Sequence, residues 1–106
     1  MAGAEKFDLL LKNVRLVRPG SPAVERGDIA VRDGRIAQIG PDLAADAAQV
    51  VDGRNRLAFP GLVDAHMHTG IYSPLAQDAV TESRAAAQGG VTSSLNYLRS
   101  GQYYLN

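Results

Sequence analysis

Apolar and polar positions alternate in short runs through the first half of the chain, and each run ends at turn residues. Phe7 to Lys12 and Val14 to Val17 are apolar and strand-prone, with Asn13 placed for a bend between them. Pro19-Gly20-Ser21-Pro22 then reads as a loop. Asp28-Ile29-Ala30-Val31-Arg32 leads into Asp33-Gly34, and Arg35-Ile36-Ala37-Gln38-Ile39 leads out. Asp-Gly supplies the positive φ angles of a two-residue type I′ turn, so a hairpin is predicted here. Ile29, Val31 and Ile36 alternate with polar or small neighbours, as a half-buried sheet requires. Gly40-Pro41 closes this unit. Val50 to Asp52 and Arg56 to Phe59 read as a further strand pair around Gly53-Arg54-Asn55. There is no internal repeat, and the only biased stretch is an alanine-rich patch from Ala44 to Ala48.

At Phe59-Pro60-Gly61 the pattern changes. Leu62 to His68 is a strand-like run, and Gly70 to Leu75 is a loop. Gln77 to Gln88 has the alanine-rich composition of a helix, with Asp78 as a cap or first-turn acid and Gly89-Gly90 as its stop. Val91 to Leu98 is a second strand. Strand, helix and strand at this spacing make a βαβ unit, so the two strands should be parallel neighbours. Two architectures are therefore expected. Residues 1–58 form a small, mostly antiparallel β unit, and residues 59–106 open a parallel α/β domain.

Composition narrows the functional classes. The 106 residues suffice for one small domain. Lysine plus arginine equals aspartate plus glutamate at 11 each, so no electrostatic feature calls for nucleic acid or an anionic membrane. The absence of cysteine excludes disulfides, thiolate metal sites and cysteine nucleophiles. Lys12 and Arg15 interrupt the first apolar run, which rules it out as a signal-peptide core, and no stretch is long enough to span a bilayer. A soluble, cytoplasmic protein is the expectation.

The chemistry gathers on one strand. Side chains alternate faces along Leu62-Val63-Asp64-Ala65-His66-Met67-His68. Val63, Ala65 and Met67 form an apolar face of the kind that helices cover. Asp64, His66 and His68 form a wholly polar one. Two imidazoles at i and i+2 lie close enough to share a metal ion, and imidazole suits zinc and its neighbours. Asp64 sits deeper and is placed to act as an acceptor behind the ligands. A bare His-x-His arises by accident on many surfaces, but this pair holds all the histidine in the chain and ends a strand that begins with Pro-Gly.

Phe59-Pro60-Gly61-Leu62-Val63-Asp64-Ala65-His66-Met67-His68 resembles the Pro-Gly-x-x-Asp-x-His-x-His signature of the amidohydrolase superfamily. FDLLLKNVRLV, GDIAVRDGRIAQIG and VVDGRNRLAFPG resemble the small β-sandwich that precedes the barrel in that superfamily. AVTESRAAAQGGVTSS resembles the first helix and second strand of its cyclic-amidase branch, which contains dihydropyrimidinases, hydantoinases, allantoinases and dihydroorotases. The resemblance implies an α/β fold: the start of a TIM (β/α)8 barrel after a small, mostly antiparallel β-sandwich unit. It implies hydrolysis of a C–N bond in a small cyclic amide or imide, using water activated by one or two divalent ions, most commonly zinc. His66 and His68 would hold the more buried ion, with Asp64 behind them. A bridging carbamylated lysine, further histidines and a proton-handling aspartate belong to later strands of such enzymes. The complete enzyme is expected to be a homo-oligomer.

Two departures separate the chain from dihydroorotases. Those enzymes carry an arginine two residues after the second histidine, where this chain has Gly70. They also place Pro-Asn after the second strand, where Leu98-Arg99 stand here. Arg99, just past a strand end, Asn96, assigned with Thr92 and Ser94 to the barrel interior, and Tyr72 are candidate substrate contacts. Tyr97, Tyr103 and Tyr104 are candidate pocket walls. A solvated arginine, a backbone-satisfied asparagine and packing tyrosines are the plainer alternatives. Two other functional readings stay open: an aminohydrolase (deaminase) of the same superfamily, and a scaffold on this fold that has lost catalysis. The chain is also expected to need the remainder of the barrel, as a separate chain after cleavage near Asn106 or as sequence beyond it. The reason is that two parallel strands leave edges and apolar faces uncovered.

Overall fold

In the computed structural model, which describes residues 6–44 and 46–97, the first two predicted strands are a single one, β1 (Lys6–Leu16). Asn13 adopts φ 56° within it, and the register with β2 (Glu25–Arg32) shifts between Leu11 and Val14. The anticipated bend is thus a β-bulge, which kinks the strand without ending it. Asparagine tolerates the left-handed region that this requires.

β2 and β3 (Arg35–Gly40) form the predicted hairpin, with Asp33 at φ 52° and Gly34 at φ 69° in its turn. The Asp33 N–H donates to Asp8 Oδ2 at 2.6 Å, which ties the hairpin tip to β1. The covered face differs from the simplest reading of the alternation. Gly27, Asp28 and Ala30 are the buried residues of β2, whereas Ile36 is 62% exposed and Ile39 40% exposed. The cover comes from Phe7, Leu10 and Leu43, which pack on the Ala30 side with Ala47 against them. Alternation identifies two faces, but the position of Leu43 selects which one is buried.

The prediction of a mostly antiparallel unit is corrected to a mixed sheet. β4 (Asp46–Asp52) and β5 (Leu57–Ala58) do not pair with each other. Both run parallel to β1, in a sheet of order β3-β2-β1-β4 with β5 also on β1. After β3 the chain crosses to the other edge of β1 instead of folding back as a hairpin. Arg54 and Asn55, at φ 51° and 58°, then return it to the same strand. Gly53 N–H donates to Lys12 O at 2.7 Å and Arg15 N–H to Arg56 O at 2.8 Å, so the turn itself is bonded to β1.

One buried carboxylate joins the bulge to the crossover. Asp28 is 4% exposed. Its Oδ1 accepts the Asn13 N–H at 2.8 Å, its Oδ2 accepts the Leu43 N–H at 2.9 Å, and Lys12 Nζ lies 3.8 Å away. On the β4 side of the same bulge the exposed Asp52 carboxyl is held below the usual carboxylate range, first by the Arg54 N–H and then by the Asn13 side-chain amide. A depressed pKa supplies stability above the unfolded value and loses it as pH falls through the folded one.

The second compact unit begins after Pro60. It contains β6 (Leu62–His68), α1 (Leu75–Gln88) and β7 (Val91–Tyr97). β6 and β7 are parallel neighbours, as predicted. The helix starts two residues earlier than expected, after Pro74, and stops at Gly89-Gly90 with Gly90 at φ 86°. Asp78 lies in the first turn, and its Oδ2 accepts the Gly70 N–H at 2.7 Å, so it ties down the preceding loop rather than capping the helix. The chain is thus a mixed, sheet-dominated α/β polypeptide. Among the described residues no helix is long and apolar enough to cross a membrane.

Two predictions test the first unit. Asp28→Ala orphans two backbone donors and should lower the opening free energy of the sheet by about 3 kcal/mol. Amide hydrogen exchange at Asn13, Leu43 and across β1 and β2 reads this, and parent-like protection would contradict the role given to Asp28. On acidification the Gly53 and Asn55 amides should lose protection as Asp52 protonates, and Asp52→Asn should remove that pH dependence.

Candidate metal centre

β6 brings its two histidines together in the way alternation requires. The His66 and His68 ring centroids are 4.8 Å apart at an interplanar angle of 70°, and their Nε2 atoms are 2.9 Å apart. Tyr97, at the end of β7, completes a three-ring group. Its ring stacks on His66 at 4.6 Å and 30°, and its main-chain oxygen lies 3.2 Å from His68 Nδ1. Asp64 Oδ1 accepts the main-chain N–H of His66 at 3.0 Å. It therefore steadies the strand beneath the rings and does not bond to the rings themselves.

The start of β6 explains the glycine of the Pro-Gly pair. A Cβ at Gly61 would overlap the Thr92 side chain, so only glycine lets β6 begin this close to β7. Irregularities follow between Leu62 and Val63 and between Asp64 and Met67. After the second of these, Met67 stands beside Asn96 and His68 beside Tyr97.

That register corrects the placement of Asn96. With Met67, Thr69, Leu75 and Glu82 it lines a cavity of about 580 Å³ between α1 and the strands. Its Oδ1 accepts from Thr69 Oγ1 at 2.8 Å and its Nδ2 donates to Ser94 Oγ at 3.0 Å. Asn96 is thus held by hydroxyls on the helix side, away from the face that carries the histidines. A one-residue shift in pairing exchanges the faces, and here it brings Tyr97 to the histidines. Tyr72, in the loop after β6, is 90% exposed. Arg99, Leu98, Tyr103 and Tyr104 lie outside the described residues. Sequence reasoning missed the Tyr97 carbonyl, because a main-chain acceptor leaves no mark on residue type.

The donor set fits a divalent ion. Two imidazole nitrogens 2.9 Å apart are closer than twice a metal–nitrogen bond of about 2.0–2.1 Å, so one ion can reach both. Among the described residues no group of three or more His, Cys, Asp or Glu side chains is placed to hold a metal. The pair is therefore only part of a coordination shell.

Comparison with known proteins gives this geometry a family. The chain is 40% identical over 88 residues to a dihydroorotase of Pediococcus pentosaceus and 41% identical over 88 residues to an allantoinase of Bacillus velezensis. The chain belongs to the cyclic-amidase branch of the amidohydrolase superfamily. The aligned part is 82% of the chain but only 20% and 19% of those two relatives, so the chain spans about a fifth of their length. Among solved structures it resembles a D-hydantoinase (dihydropyrimidinase) from Thermus sp., with a TM-score of 0.66 and 32% identity over 83% of this chain and 20% of that one. It also resembles an N-acyl-D-glutamate deacylase from Bordetella bronchiseptica complexed with zinc, with a TM-score of 0.70 and 29% identity over 85% of this chain and 18% of that one. No protein-family profile matches the chain. Identity is higher, at 48% over 83 residues, to a dihydroorotase of Mycobacterium tuberculosis. Gly70 stands where the sequence reading expects an arginine in a dihydroorotase. It sits at φ 82° with a Cβ position 3.1 Å from Leu75 Cδ1, a conformation that side chains rarely adopt.

The packing at Gly61 is testable. Gly61→Ala should push β6 from β7 and expose the Leu62 amide, whose bond to Gly90 O is 2.9 Å in the structure. Faster exchange at Leu62 with unchanged exchange in β1 is expected, and no change at Leu62 would show that the strands tolerate the methyl group.

Proposed function

We propose that the full-length protein is a metal-dependent hydrolase that opens a C–N bond of a small cyclic amide or imide, of the hydantoinase or dihydropyrimidinase type. The observation that carries this reading is the convergence of His66 Nε2 and His68 Nε2, 2.9 Å apart, at the end of the strand bearing the family signature. The first unit, to about residue 58, then serves as part of a small β-sandwich domain, and residues 59–106 form the first βαβ unit of the barrel. The kinship with a D-hydantoinase supports the substrate class, and the zinc complex of the deacylase supports the choice of ion.

His66 and His68 would hold the ion through their Nε2 atoms, and ligands from outside the described residues would complete its shell. Bound there, a divalent ion acidifies a water molecule and polarises the scissile carbonyl. The chain's own residues supply placement. Asp64 anchors the His66 main chain, and the Asp78–Gly70 bond holds the loop at the C-terminal end of β6, where barrel enzymes bind substrate. Tyr72, exposed in that loop, and Arg99 are the residues of this chain assigned to substrate contact. Asn96 is not, because it faces α1.

In the metal-loaded full-length protein, His66 Nε2 and His68 Nε2 should each lie about 2.0–2.2 Å from one ion. His66→Ala and His68→Ala should each abolish hydrolysis of hydantoin or dihydrouracil and lower the bound metal, while exchange protection in β1 and β2 stays at the parent level. Stoichiometric metal and full activity in either variant would overturn the assignment.

A further inference from the structure

We infer that Tyr97 is a positioning residue for the histidine pair: its main-chain carbonyl sets the tautomer of His68, and its ring holds His66 in line. The inference rests on the metal-binding reading of the pair and adds a residue to it. His68 Nδ1 lies 3.2 Å from Tyr97 O. A carbonyl oxygen only accepts, so Nδ1 carries the hydrogen. A neutral imidazole then has its lone pair on Nε2, the atom that faces His66. His68 is thereby preset to bind a cation without moving a proton. Metal-bound histidines commonly donate their other ring N–H to such an acceptor, and its loss typically costs 10–100-fold in affinity.

His66 needs a different constraint. It is exposed, and among the described residues no hydrogen bond to its Nδ1 is seen. An exposed imidazole turns broadly about its last torsion. The Tyr97 ring, stacked at 4.6 Å and 30°, restricts that rotation and leaves Nε2 directed at His68. Both effects come from one residue because the β6–β7 register puts Tyr97 beside His68. A slip of one position would put Asn96 there, with no ring to stack.

The two contributions are separable by substitution. Tyr97→Phe keeps ring and carbonyl, whereas Tyr97→Ala keeps only the carbonyl. Nitrogen-15 NMR of the metal-free full-length protein, at a pH where both rings are neutral, should show His68 protonated on Nδ1. Zinc titrations should give parent-like affinity for Tyr97→Phe and an affinity about 10-fold weaker for Tyr97→Ala. In Tyr97→Ala the His66 ring protons should also shift downfield as the stacked ring's current is lost. A His68 protonated on Nε2, or parent-like zinc affinity in Tyr97→Ala, would overturn the inference. Should the alanine variant not fold, the tautomer of the parent protein decides the matter. Zinc retained in both His66→Ala and His68→Ala would refute the metal site itself. Zinc lost in those variants but retained in Tyr97→Ala would refute only the role of Tyr97.

Discussion

Side chains leave a β-strand alternately to its two faces, so the register between β6 and β7 decides which residues can meet. The candidate site depends on that register more than on any single contact. His66 and His68 share a face by their spacing alone. The shift between Asp64 and Met67 then brings Tyr97 to the same place and sends Asn96 to the helix side. Gly61 makes the approach sterically open at the start of the pair, and the Asp78–Gly70 bond fixes the loop at its end. The two-histidine motif thereby acquires an aromatic wall and a main-chain acceptor, neither of which belongs to the motif.

The first unit rests on a comparable economy. Asp28 is buried and bonded to two backbone amides that are distant from each other in the chain. One amide belongs to the bulge at Asn13 and the other to the crossover at Leu43. A hydrophobic side chain at this point would leave both donors without partners, so the position demands a double acceptor. The crossover explains the mixed sheet: β4 reaches the free edge of β1, and β5 continues along it.

The chain corresponds to about a fifth of its dihydroorotase and allantoinase relatives, and its second unit is a parallel strand–helix–strand element. Val63 is 68% exposed and Leu95 61% exposed. Parallel strands are ordinarily covered on both faces, so these side chains have the character of surfaces that further elements cover.

Much of this was legible from residue order. The Asp33-Gly34 hairpin, the helix stop at Gly89-Gly90, the parallel βαβ unit and the shared face of His66 and His68 all follow from local rules, because turn chemistry, hydrophobic period and side-chain alternation act over a few residues. The bulge at Asn13 was half visible, since asparagine announces a bend but not whether a strand survives it. The pairing of β4 and β5 with β1, the burial of Ala30 instead of Ile36, and the arrival of Tyr97 beside the histidines were decided only by tertiary structure. Each depends on which distant segment occupies a strand edge or covers a face, and a one-residue change in register reverses the outcome without altering the local pattern.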